Sequence, residues 1–302
     1  MKNSSFLIGQ LMAGLSLVLI LAGCTHDSLS VQNEESIQYV ELPTAHIAYK
    51  TLGKGEPLLL CTGFSATMEI WATPMIERLQ EQYQLILFDY RGMGYSTNSD
   101  TAFSIQTLAE DVFELCEHLD IKKADILGWS MGGYVAQMFA LKHPELVSRL
   151  ILYASDGGDT TVIDPDQRIL DMLVDTASGP QGLFGTLFTP RWLETHSDPW
   201  QYFPKPQNGF DSETIMLQNK AITKWMESGG GSVGRLHELK METLIITGDD
   251  DAVTPYQNSE LLADSIQNST LIKINNGGHG VMYQFPDLVA DYILAFLNHR
   301  QE

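Results

Sequence analysis

The chain has 302 residues, 44% of them hydrophobic and 19% charged, which suits one large α/β domain and carries no compositional sign of disorder. Its 38 acidic residues against 18 basic ones give a formal net charge of −20. That balance argues against nucleic acid or anionic membrane surfaces as electrostatic partners and otherwise fits a solubility role.

The first residues are set aside before any fold reasoning. Lys2 gives a small positive start, Phe6 to Leu21 is an almost unbroken apolar run, and Leu21-Ala22-Gly23-Cys24 follows. A basic end, a hydrophobic stretch and small residues describe a secretory signal. The Leu-Ala-Gly-Cys ending resembles a bacterial lipobox. That resemblance implies cleavage before Cys24, a lipid on this cysteine, and a lipid-anchored place in a bacterial cell envelope, with Thr25 compatible with outer-membrane sorting. A plain transmembrane anchor is the competing reading, because the run is nearly long enough to span. The expected organisation is a signal peptide over 1–23, a polar tether over 24–36, an α/β core over 37–155 and 240–302, and a helical insertion over 156–239.

Ile37 to Leu42 and His46 to Leu52 read as an antiparallel pair at a sheet edge, split by Pro43-Thr44 and closed by Gly53-Lys54-Gly55. Pro57 to Cys61 is continuously apolar, as a strand buried on both faces should be, and empties into the small-residue loop Thr62-Gly63-Phe64-Ser65-Ala66. Helical spacing follows around Met75, Ile76 and Leu79, then a second buried strand over Gln84 to Phe88, then the charged loop Asp89-Tyr90-Arg91-Gly92-Met93-Gly94-Tyr95-Ser96. Arg91 reads as a structural ion-pair former behind a site. Phe103 to Leu119 is amphipathic, with Ser104 placed as its N-cap. Ala124 to Leu127 is a strand, Met131 to Leu141 a helix stopped by His143-Pro144, and Val147 to Tyr153 a further strand. Cys61 and Cys116 sit in apolar runs and read as two buried free thiols, although export would permit a disulfide.

From Asp156 to Leu239 this alternation stops. Large apolar residues such as Phe184, Phe188, Trp192, Trp200, Phe203 and Trp225 are interspersed with prolines, which suggests helices lying over the sheet. Alternation resumes with a strand at Thr243 to Thr247, a helix at Ser259 to Ile266, a strand at Thr270 to Ile274 and a closing helix at Leu288 to Leu297. Strand and helix in turn, with strands apolar throughout, predict a mostly parallel sheet covered on both faces.

Gly128-Trp129-Ser130-Met131-Gly132 lies between a strand and a helix, the pattern of a nucleophile elbow. Such a turn holds Ser130 at a sharp point and offers the Met131 N–H, unpaired at a helix N-terminus, to developing negative charge. A serine needs a base and the base an orienting acid, expected in that architecture in the order Ser, Asp, His. His279 follows a strand within Gly277-Gly278-His279-Gly280 and is the candidate base. Asp249, Asp250 and Asp251 compete for the acid, and their loop lacks the glycine and glutamate of a calcium site.

From about Pro57 to Leu297 the chain resembles the α/β-hydrolase superfamily, in its cap-bearing, esterase-like branch. The resemblance rests on Thr62-Gly63-Phe64, the Asp89 to Ser96 loop, the elbow, Gly248 to Pro255 and Gly278-His279-Gly280, in that order. It implies an eight-stranded-type sheet with an inserted cap, and Asp251 as the acid, three residues after Gly248. Asp249 and Asp250 would then be exposed neighbours. It also implies Phe64 N–H as a second oxyanion donor, although Thr62 stands where the family usually has histidine. The implied chemistry is acyl transfer from a small or medium hydrophobic ester, with no cofactor or metal. The same triad also serves C–C, lactone or amide hydrolysis and perhydrolysis, and a non-catalytic binding or signalling protein on this fold is the alternative from another class.

Overall fold

A computed structural model describes residues 36–174, 184–204 and 212–299. The expected signal peptide, Cys24 and almost all of the tether lie outside the described residues. Eight strands form one sheet: β1 (Gln38–Glu41), β2 (His46–Leu52), β3 (Glu56–Cys61), β4 (Tyr83–Phe88), β5 (Ala124–Trp129), β6 (Val147–Tyr153), β7 (Glu242–Gly248) and β8 (Ser269–Ile274), in spatial order β1-β2-β4-β3-β5-β6-β7-β8. The β1–β2 and β2–β4 pairs are antiparallel, and every pair from β4 across to β8 is parallel. This is the α/β-hydrolase fold, as expected.

Strand periodicity builds two cores. On one face Leu59, Cys61, Ile126 and Leu152 pack with residues of α2 (Ile105–His118) and α3 (Met131–Lys142). On the other face Leu58, Leu60, Leu127 and Ile151 pack with α1 (Thr73–Leu79) and the C-terminal helix, residues Pro286–Asn298. Side chains alternate across a pleated strand, so a run such as Leu58-Leu59-Leu60-Cys61 serves both faces and must be apolar throughout. Ser104 caps α2 in a reciprocal capping box with Thr107, which fixes where that helix starts. The helix after β7 spans Tyr256–Ser265, three residues earlier than its apolar pattern suggested, because Pro255 sets its entry. Cys61 and Cys116 are both buried and free.

Between β6 and β7 the described residues are helical: α4 (Gln167–Val174), α5 (Pro190–Thr195) and α6 (Ser212–Trp225), with short 3-10 turns. Trp225 of α6 stacks on Tyr134 of α3, with centroids 5.2 Å apart and planes at 20°. Leu187 O accepts a hydrogen bond from Gly280 N at 2.8 Å, and Thr189 Oγ1 donates to Asn276 Oδ1 at 2.9 Å. The segment thus rests on loops at the carboxyl ends of the parallel strands. Arg91 forks onto Asp111, with Nε to Oδ2 at 2.7 Å and a second ion pair to Asp100, a buried brace beneath those loops.

At the amino ends of the strands a cleft of about 460 Å³ is lined by Glu56, Lys123, Asp125, Arg149 and Glu242, remote from Ser130. Asp125 is buried there with Oδ1 unpaired, and burial pushes its carboxyl up to about 6 despite the pull of Arg149. A folded-state value above the unfolded one means the native protein holds the extra proton, so stability falls as pH rises from about 4 through 6. Asp125→Asn is expected to gain about 1–2 kcal/mol of stability relative to wild type on going from pH 5 to pH 8. Thermal melts of both proteins at the two pH values measure this; an equal difference at both would contradict it.

Candidate active site

Ser130 stands between β5 and α3 with φ 55° and ψ −122°, a conformation L-residues rarely hold. Its surroundings leave no alternative. A Cβ on Gly132 would lie 2.0 Å from Cys61 O, and one on Gly128 would lie 2.4 Å from Gly132 O. Strand and helix therefore cross at a separation only glycine permits. Ser130 N donates to Tyr153 O at 2.9 Å and Ser155 Oγ donates to Ser130 O at 2.9 Å, so the end of β6 clamps the strained residue at both its N–H and its carbonyl.

The loop after β3 closes over this point. Gly63 lies so near that a Cβ there would sit 3.4 Å from Ser130 Cβ. Phe64 N–H and Met131 N–H both belong to the two chain segments that meet at Ser130. Met131 is the first residue of α3, so its N–H has no intrahelical acceptor. Thr62 Oγ1 is buried and without a hydrogen-bond partner, so the threonine contributes no side-chain anchor to this loop.

The structure brings His279 and Asp251 together. His279 Nδ1 lies 3.0 Å from Asp251 Oδ2 and 3.1 Å from Oδ1, with both residues buried. Asp251 Oδ1 also accepts from Val253 N at 2.9 Å and Thr254 N at 2.8 Å, bonds that fix the orientation of the carboxyl group. An Nδ1–H donated to this carboxylate leaves Nε2 as the free base. The His279 backbone is as firmly set: its carbonyl accepts from Trp129 Nε1 at 3.2 Å and from Tyr153 Oη at 3.0 Å. Trp129 joins the two halves of the site, since it precedes Ser130 and its ring lies 5.7 Å from the imidazole. No hydrogen bond joins Ser130 Oγ to His279 among the described residues, a bond that commonly tightens only around a reacting substrate.

Of the competing carboxylates, Asp250 is exposed, but Asp249 is not the free neighbour expected. Asp249 Oδ1 accepts from Asn276 N at 2.6 Å, and Asp250 N donates to Gly277 O at 3.0 Å, so this pair binds the acid loop to the base loop. The reason is that β7 and β8 are adjacent parallel strands, which sets their two carboxyl-end loops side by side.

Trp129, Tyr153 and Asp156 were not anticipated at the site. Tyr153 reads from sequence as the end of a buried strand, and nothing in its spacing reveals a hydroxyl turned to the His279 loop. Asp156 is buried just beyond β6, accepting from Tyr134 Oη at 2.9 Å and Gly158 N at 2.8 Å, and burial pushes its carboxyl up to about 6. Among the described residues no His, Cys, Asp and Glu cluster is suited to a metal ion.

Comparison with known proteins agrees with this architecture. A family profile described as "alpha/beta hydrolase fold" matches residues 56–190, and one described as "TAP-like protein" matches residues 213–301. RutD of Azorhizobium caulinodans, provisionally named a carbamate hydrolase, is 28% identical over 278 residues, spanning 84% of this chain and 98% of that protein. A poly(3-hydroxyalkanoate) depolymerase of Ectopseudomonas oleovorans is 27% identical over 254 residues, 82% of this chain and 86% of its own length. The crystal structure of a thermophilic esterase from Thermogutta terrifontis superposes with a TM-score of 0.72 at 25% identity, covering 86% of this chain and 98% of the esterase. The chain has the α/β-hydrolase fold and is an enzyme of the hydrolase kind.

The elbow crowding gives a direct test. Gly132→Ala is expected to destabilise the protein by about 3 kcal/mol or more, since the added methyl meets a backbone carbonyl that cannot rotate away. A thermal melting temperature equal to wild type would contradict the close crossing.

Proposed function

We propose that the protein is a serine hydrolase that cleaves a carboxylic ester of small or medium size and hydrophobic character. The observation that carries this reading is the buried His279–Asp251 pair, set beside a serine held in strained backbone geometry at the end of β5. Ser130 is the nucleophile, His279 the base and Asp251 the acid that orients it. His279 Nε2 takes the Ser130 proton as Oγ attacks the carbonyl carbon. The carbonyl electron pair moves onto oxygen, held by Phe64 and Met131 N–H. Collapse of the tetrahedral species expels the alcohol, which takes the proton from His279. Water then repeats the sequence on the acyl-enzyme and releases the acid. One oxyanion donor of this kind is worth about 3 kcal/mol of barrier.

The activities ascribed to the relatives support the same step. Carbamate, polyester and simple ester hydrolysis differ in leaving group and share attack on an acyl carbonyl. Residues 156–239 act as the cap that selects the substrate, and their aromatic side chains favour an apolar acyl or alcohol group. The protein is anchored to a bacterial envelope through lipid on Cys24 after removal of residues 1–23, a reading that rests on the Leu21-Ala22-Gly23-Cys24 sequence.

A panel of chromogenic short-chain esters tests the chemistry. Turnover by wild type, abolished in Ser130→Ala and reduced about 10⁴-fold in kcat in Asp251→Asn, is the expected result. Equal background rates in wild type and Ser130→Ala would sink it and favour a binding role. For the anchor, Cys24→Ser should move the protein from the membrane fraction to the soluble one. Unchanged partitioning would favour a transmembrane signal anchor.

A further inference from the structure

We propose that Gln218, on α6 of the cap, is a positioning residue that holds the oxyanion loop in working geometry, so that a seated cap and a complete oxyanion hole are one state. This rests on the serine hydrolase reading of Ser130 and Phe64.

Gln218 lies in the middle of the buried face of α6, among Thr214, Leu217, Ala221 and Trp225. It is fully buried. Its Oε1 accepts a hydrogen bond from Ser65 N at 2.9 Å, across 153 residues of chain. Its Nε2 is buried with no partner. Burying an amide donor unpaired is destabilising, and a leucine or methionine would fill an apolar helix face without that penalty. The residue's presence there is therefore accounted for by what Oε1 does.

What it does is fix a loop that has little else to fix it. Among the described residues, the Ser65–Gln218 bond is the one hydrogen bond that ties Gly63 to Ala66 to the rest of the chain. The next anchor is Met68 N, which donates to Asp89 Oδ1 at 2.6 Å. Thr62 supplies none, since its hydroxyl is unpaired. Ser65 has φ 55°, a left-handed conformation that a serine leaves readily unless held. The peptide planes carrying Phe64 N–H and Ser65 N–H are hinged at Phe64 Cα. Pinning the second restricts the swing of the first, which is the proposed oxyanion donor. The helix that carries Gln218 is seated on the elbow helix by the Trp225–Tyr134 stack, so the same docking that covers Ser130 delivers Oε1 to the loop. An oxyanion donor acts through being aimed before the charge develops, and small misplacement is costly in rate.

Three full-length proteins decide the matter: wild type, Gln218→Leu and Gln218→Glu, which keeps an acceptor of equal length. Gln218→Leu should lower kcat about 10- to 100-fold with KM within threefold, while its melting temperature stays level or rises because the unpaired donor is gone. Gln218→Glu should recover most of the lost kcat. Unchanged kcat in the leucine variant, or a glutamate variant as slow as the leucine one, overturns the inference. Hydrogen exchange reads the coupling apart from turnover: exchange across residues 62–68 should quicken at least tenfold in Gln218→Leu and stay unchanged across Met131 to Lys142. Unaltered exchange in that loop overturns the inference whatever the activity. A wild type that hydrolyses no ester, together with faster exchange in the variant, sinks the serine hydrolase reading and leaves the coupling standing.

Discussion

Everything at the carboxyl end of the sheet depends on how closely β5 and α3 cross. Gly132 brings the helix within touching distance of the β3 carbonyls, and Gly128 lets the strand pass under the helix's first turn. With no room for a longer connection, the chain reverses at a single residue, and that residue must take the strained angles seen at Ser130. The strain, of the order of 1–3 kcal/mol, is offset by clamps on both sides of the residue. Tyr153 O takes the Ser130 N–H, Ser155 supplies a donor to its carbonyl, and a helix buried along its first two turns prevents relaxation. The same crossing sets the first N–H groups of α3 against the loop after β3. The strained turn at Ser130 and the unpaired N–H at the start of α3, to which the proposed mechanism gives the nucleophile and an oxyanion donor, are thus consequences of one packing constraint.

The second consequence concerns the acid and the base. Their loops leave β7 and β8, and the Asp249–Asn276 and Asp250–Gly277 hydrogen bonds lock the loops together before the Asp251–His279 contact is considered. His279 is then fixed at both ends: Asp251 holds Nδ1, while Trp129 and Tyr153 hold its carbonyl. Because Trp129 neighbours Ser130 and Tyr153 lies one strand away, the imidazole is referenced to the elbow through rigid aromatic side chains. Preorganisation of this sort removes orientational freedom ahead of reaction.

The core was legible in the sequence because it obeys local rules. Unbroken apolar runs such as Leu58 to Cys61 belong to strands buried on both faces, and Ser104 with Thr107 marks a helix start by chemistry confined to four residues. The elbow glycines were legible for the same reason, since each is required by its immediate turn. Asp249, expected as an exposed neighbour, is half-buried and engaged because its partner, Asn276, is distant in sequence and meets it only once β7 and β8 pair. Tyr153 and Gln218 were invisible for a related reason. Each looks locally like a strand or helix residue, and its polar atom acquires meaning from a loop more than a hundred residues away.

That distinction bears on the segment between β6 and β7. Its aromatic residues are as apolar as any core, yet they do not end in a core of their own. Phe184 and Phe203 are in contact at 5.7 Å, Phe203 meets Tyr283 at 4.3 Å, Tyr283 meets Trp129 at 6.4 Å, and Trp129 leads to His279. Tyr283 is further fastened by its hydroxyl to Ile70 O at 2.5 Å, beside the loop after β3. The segment therefore reaches His279 through one chain of contacts, by way of Tyr283 and Trp129, and the loop after β3 through another, Gln218. A covering element attached at both functional ends of a site does more than exclude water. On the proposed chemistry, a substrate group that displaces it would be felt at Phe64 and at His279 together, which would link fit to the covering segment with rate at the carbonyl. Selectivity in such an arrangement is expressed in turnover as well as in binding.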